Sequence, residues 1–222
     1  TFVTQDDVLG FVSEAVMSAC DAVLGERPTE SIPRITWHEA MERFGSDKPD
    51  VRFGMELVEL TDVFKNTEAN VFKAQCVKAI VLDGGAEIGR SRIDALTELA
   101  KGWGAKGLAW AKVTDGGLEQ GISKLLSDAE TKAVISQTDA KPGDLIFLVA
   151  DVREKVRHVL GLLRLELGRP AVNEGGLHFL WVVDFPLFEG IDEETGNPIP
   201  AHHPFTMPHL DDYEKIDSDP LS

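Results

Sequence analysis

Two adjacent histidines, His202 and His203, followed by Pro204 and Phe205, form the most unusual local string in the chain. An imidazole can donate a hydrogen bond to a carboxylate or hold a proton near neutrality. Pro204 biases His203 toward extended backbone, and on an extended strand neighbouring side chains point to opposite faces. The pair is therefore poorly arranged to chelate one metal, and His38, His158, His178 and His209 supply no supporting ligand spacing. One of the two can face a pocket while its neighbour supports it; the plainer alternative is a pair of ordinary polar strand positions. Asp184 and Glu189, on the element before, bring carboxylates near the pair and could form an acid/base set with it, but turn and surface positions suit them as well. The run Gly102-Trp103-Gly104-Ala105-Lys106-Gly107 spells G-x-G-x-x-G. A dinucleotide site needs a strand before those glycines and a helix after, and here the order is reversed, so the run reads as a helix-to-strand turn. Asp83-Gly84-Gly85 reads as a turn too. Serine-nucleophile, P-loop and paired-carboxylate signals are absent.

The elements that must position these residues follow from hydrophobic periodicity. Thr4 and Asp7 form an N-cap pair ahead of Val8, Phe11, Val12, Ala15, Val16, Ala19 and Val23, which predicts a helix with one buried stripe, closed by Gly25. A short extended link at 32–35 leads to Thr36, which opens a second helix ending at Gly45; residues 45–50 are a breaker loop. From about Met55 strands at 77–82, 107–113 and 144–150 alternate with helices at 91–103, 122–136 and 151–168. That alternation predicts an α+β unit, a compact sheet with helices on one face. After a glycine-containing linker at 173–176, a strand at 178–185, a polar turn at 190–197 and a returning strand at 201–206 are expected.

At 222 residues the chain suits one large domain or two small ones. A net charge of −16, from 22 Lys+Arg against 38 Asp+Glu, opposes general attraction to a nucleic-acid backbone, so any such contact is a local patch. Cys20 and Cys76 match no zinc, haem or redox spacing and read as reduced thiols of a cytoplasmic protein. No apolar run approaches the roughly 20 residues that cross a bilayer, and no signal pattern opens the chain. It starts at Thr1 on a helix-entry signal and stops in an acidic loop, which reads as a piece of a longer polypeptide.

Five strings in one order go beyond generic pattern: Pro33-Arg34-Ile35-Thr36, Phe44-Gly45-Ser46-Asp47-Lys48-Pro49-Asp50, Gly104-Ala105-Lys106-Gly107-Leu108, Leu180-Trp181-Val182-Val183-Asp184-Phe185-Pro186 and His202-His203-Pro204-Phe205-Thr206. Together, from Phe2 to about Pro208, they closely resemble bacterial-type aspartyl-tRNA synthetases, which are class II enzymes. The resemblance implies a GAD insertion domain at 56–170, between catalytic-core segments at 1–55 and 171–222 that form part of an antiparallel class II core. It implies ATP- and magnesium-dependent activation of L-aspartate and transfer to the 3′ end of tRNA by a homodimeric, cytoplasmic full-length enzyme. It also implies that the dimer element and most ATP contacts lie outside this chain, leaving a monomeric fragment, inactive alone, with no catalytic or metal residue of its own. By the same resemblance His202 contacts the substrate aspartate, with His203 as its second partner. Ser46, Asp47 and Lys48 belong to a family signature that reads either as a tRNA acceptor-end contact or as a loop joining core to insertion. The alternative function is a stand-alone GAD-type module that binds tRNA or protein without catalysis.

Overall fold

The computed structural model describes residues 2–171, 174, 176–202, 206–216 and 218–221. Helix α1, Gln5–Leu24, starts as expected: the Thr4 side chain accepts from the Asp7 N–H and the Asp7 carboxylate accepts from the Thr4 N–H, a reciprocal capping box. It ends at Gly25 in the left-handed region. The expected buried stripe is absent, since Val8, Phe11, Val12 and Val23 are exposed and Met17 is the buried residue of the helix. The reason is which face finds a partner. Asp6 pairs with Arg34 and Ser13 accepts from the Trp181 indole, both on the Met17 side. Those partners lie on β1, Arg34–Thr36, and β7, Trp181–Val183, which run parallel with Arg34 opposite Trp181.

Between these flanks lies a five-stranded antiparallel sheet. Its strands are β2 (Val58–Glu59), β3 (Cys76–Leu82), β4 (Ala109–Thr114), β5 (Gly117–Glu119) and β6 (Leu145–Asp151), in the order β2-β3-β6-β4-β5. Cys76 lies opposite Asp151 and Leu82 opposite Leu145, so the two longest strands pair along their whole length at the centre. Both read as nearly continuous apolar runs because both faces are covered. Cys76, Ile80, Leu145, Phe147 and Val149 pack beneath α3 (Arg90–Gly102) and α5 (Arg153–Gly168), through Ile93, Leu96, Val156, Leu160 and Leu163. The alternate residues Val77, Ala79, Ile146 and Leu148 point the other way. There they meet Leu60, the stacked pair Phe64 and Phe72, and Val134 of α4, Asp128–Thr138. The α+β class therefore holds, with the two long helices on one face and a second cover, α4 with the segment 60–72, on the other.

Three local boundaries differ from expectation. α4 starts at Asp128 rather than near 122, because Ser127 and Glu130 form a capping box that fixes the first turn. The strand at 178–185 shrinks to β7 because Asp184 takes a positive φ of 55° and turns the chain out of the ladder. The last hairpin pairs β8, Phe188–Ile191, with β9, Pro198–Pro200, so the return begins ahead of 201, and the Ala201 N–H still donates to the Leu187 carbonyl; 203–205 of the expected strand lie outside the described residues. Asp192 accepts from the Glu194 and Thr195 N–H groups and Gly196 supplies φ 71°, so the turn closes early and uses Gly190 and Ile191 as strand. The G-x-G-x-x-G run forms the turn from the end of α3 toward β4, with Gly104 at φ 99°.

Candidate functional site

Helix α2, Trp37–Phe44, positions the signature loop. A capping box between Thr36 and Glu39 starts it, and Gly45 ends it at φ 68° with its N–H on the Met41 carbonyl. At that point the backbone lies directly against α5. A Cβ on Gly45 would sit 2.2 Å from the Arg157 carbonyl oxygen, and one on Gly161 would sit 2.8 Å from the Gly45 oxygen. Glycine is required on both sides of this contact. One turn further along α5, Arg164 is 1 % exposed and donates from Nη2 to the carbonyls of Asp50, Phe53 and Gly54 at 2.7, 2.9 and 3.0 Å. Its guanidinium lies 4.0 Å from the Phe53 ring centre and 5.0 Å from that of Phe44. Burial pushes its pKa below the usual arginine value, against the pull of Asp50 and Glu56.

Between this loop and α5 opens a cleft of about 410 Å³. Trp37, Met41 and Leu162 give it apolar wall; Ser46, Asp47, Lys48 and His158 supply polar groups. The structure thus brings the three signature residues to one cleft. The Ser46 hydroxyl accepts from the Lys48 N–H at 3.1 Å, and Lys48 is exposed. Arg52 grips Asp50 with two parallel bonds of 2.9 and 2.6 Å, and that hydrogen bonding holds the Asp50 carboxyl down at about 2 despite desolvation.

His202 does not line this cleft. It is exposed, two residues past the end of β9, with its ring edge-on to Phe185 at 5.2 Å between centres. Asp184 and Glu189 are exposed as well. His203 lies outside the described residues, and with it the extended Pro204 geometry.

A cluster of ion pairs that the sequence reading missed joins α2 to the sheet and α5. Lys78, in the middle of β3 and 2 % exposed, places Nζ 2.6 Å from Glu42 Oε2 and 3.5 Å from Glu59. Arg153 bridges Glu42 and Glu59 at 2.8 Å each, and Arg157 reaches Glu42 at 3.1 Å. Desolvation works to raise the Glu42 pKa, but the hydrogen bond from Lys78 and the charges of Lys78, Arg153 and Arg157 outweigh it and leave it lowered. Burial pushes the neighbouring Cys76 thiol up, which makes it a poor nucleophile. A lone lysine in an otherwise apolar central strand was the available signal.

These depressed carboxylates set a pH dependence. Glu42 and Asp50 have folded-state values below their ordinary 4.5 and 3.8, so their stabilisation is fully present above those values and is lost as pH falls. Denaturant midpoints should be flat from pH 8 to 6, begin to fall near pH 4.5 and continue falling toward about 2. A midpoint that stays level down to pH 3 would contradict the pairing.

Residues 67–160 match the GAD domain family. That match runs from the segment before β3 into α5 and so contains Lys78, Arg153 and Arg157. Over a longer span the chain is similar to an aspartate–tRNA ligase of Shouchella clausii, 42 % identical across 99 % of this chain and 38 % of that protein. It is 44 % identical to an aspartate–tRNA(Asp/Asn) ligase of a Hydrogenobaculum species, across 97 % of this chain and 37 % of the relative. An aspartate–tRNA ligase of Staphylococcus saprophyticus is 43 % identical across 99 % of the chain and 39 % of its own length. The chain thus spans under two fifths of the length of these curated relatives. No helix among the described residues is long and apolar enough to cross a membrane.

Proposed function

The chain carries a GAD domain and matches bacterial aspartate–tRNA ligases over nearly its whole length, and on that premise we propose that it is a segment of such a ligase. The complete enzyme would activate L-aspartate with ATP to aspartyl-adenylate and pass the acyl group to the 3′ end of tRNA, acting in the cytoplasm as a homodimer. The single observation behind this reading is the 42–44 % identity that continues on both sides of residues 67–160. A stand-alone GAD module leaves that flanking match without explanation.

Within this reading His202 donates a hydrogen bond to the substrate carboxylate, and His203 is its second partner. An exposed imidazole just past a short hairpin is open to such a ligand. Ser46, Asp47 and Lys48 face the acceptor end of the tRNA, Lys48 meeting a phosphate and the two shorter side chains fixing orientation. ATP and magnesium belong to the complete enzyme. Among the described residues no three His, Cys, Asp or Glu side chains gather as a metal site.

The test compares two proteins. The full-length enzyme should show aspartate-dependent ATP–pyrophosphate exchange, while the purified 222 residues should show none and sediment as a monomer. Exchange by the 222 residues alone, or exchange by the full-length protein with another amino acid only, would overturn the reading.

A further inference from the structure

We infer that α5 is a clamp that sets the conformation of residues 45–54, with Gly161 and Arg164 as positioning residues for Ser46, Asp47 and Lys48. Two contacts more than 100 residues apart in sequence carry this. At the first, Gly161 allows the α5 backbone to meet Gly45, where neither side has room for a Cβ. At the second, Arg164 ties the carbonyls of Asp50, Phe53 and Gly54 to one buried cation held between the Phe44 and Phe53 rings. The signature residues lie between these two fixed points. The segment itself offers few internal bonds: Lys48 N–H to the Ser46 hydroxyl, and Arg52 to Asp50. A loop with so little local bonding opens unless an outside element holds it. Carbonyl oxygens gathered on one guanidinium also lose their partner together, so the clamp acts as a unit.

Hydrogen exchange on the 222-residue chain tests the clamp directly. Arg164→Met keeps most of the stem but removes every donor. The Arg52 and Leu57 amides, bonded to Asp50 and to the Arg43 carbonyl, should lose about tenfold or more of their protection. Amides of β3 and β6 should stay within about twofold. Arg164→Lys, which retains the charge without the planar fork, should fall between. Gly161→Ala forces the two backbones apart by a separate route, and should release the same amides even if Arg164→Met proves unable to fold. Equal loss of protection in loop and sheet, or an unchanged loop, would overturn the inference.

A kinetic arm rests on the ligase reading. In the full-length enzyme Gly161→Ala should raise the KM for tRNA several-fold and leave aspartate-dependent ATP–pyrophosphate exchange unchanged. A released loop with an unchanged tRNA KM would remove the assignment of Ser46, Asp47 and Lys48 to tRNA while leaving the clamp in place.

Discussion

Glu42→Ala is expected to destabilise the chain by about 3–5 kcal/mol, the cost of removing one partner from a buried ion pair. The carboxylate is the shared acceptor of three cations, Lys78, Arg153 and Arg157. Arg153 is 36 % exposed and can turn to water, whereas Lys78 at 2 % and Arg157 at 9 % cannot do so without opening the contact between α2 and α5. The remaining acceptors are weaker: Glu59 lies 3.5 Å from Lys78, and the other bond of Lys78 goes to the Glu42 backbone carbonyl, which the substitution retains. Two further measurements separate this origin from loss of packing. Glu42→Gln keeps the shape and should cost nearly as much, because it removes the charge. Combining Glu42→Leu with Lys78→Met removes the most buried cation along with the carboxylate and should restore part of the stability, the remainder being the cost of leaving Arg157 without its acceptor. Urea unfolding at pH 7 reads all three; a loss under about 1 kcal/mol for Glu42→Ala would mean that the cluster behaves as an exposed surface network.

How much of this was legible depended on whether the signal was local. The capping pair Thr36 and Glu39 and the glycine stop at 45 are backbone chemistry within one turn, and α2 runs between them as its sequence indicates. The central strands were legible because β3 and β6 are covered on both faces and so lose their polar alternation. The second cover was not, since Leu60, Phe64 and Phe72 sit in an irregular segment without period. Helix α1 shows the limit of periodicity: apolar spacing marks a face able to be buried and carries no information on what would bury it. The hairpin returns earlier than expected because Asp192 and Gly196 close the turn and bring 198–200 into the pairing. For the site, Ser46, Asp47 and Lys48 were found as part of a recognisable string, but their neighbours were not. Arg164 reads in sequence as one charged position in an amphipathic helix, and only the approach of residues 50–54 turns it into a buried anchor.

The largest functional effect is expected at His202. In this chain it is exposed, with its ring in T-shaped contact with Phe185. A hydrogen bond to a charged group contributes roughly 1.5–3 kcal/mol, which is about ten- to a hundredfold in binding or rate. Because the proposed contact is to the amino acid and not to the nucleotide, the loss should be confined to one substrate. His202→Gln, able to donate in place of the imidazole, should recover part of it, and His202→Phe, similar in bulk but without a donor, should not. Since the ring is exposed, neither substitution should move the unfolding midpoint appreciably.

Steady-state ATP–pyrophosphate exchange by the full-length enzyme, with aspartate and ATP varied separately in wild type and His202→Ala, tests the central claim most directly. The ligase reading predicts that kcat/KM for aspartate falls about ten- to a hundredfold while the KM for ATP holds within about twofold. An unchanged aspartate dependence, or an equal loss for both substrates, would contradict it.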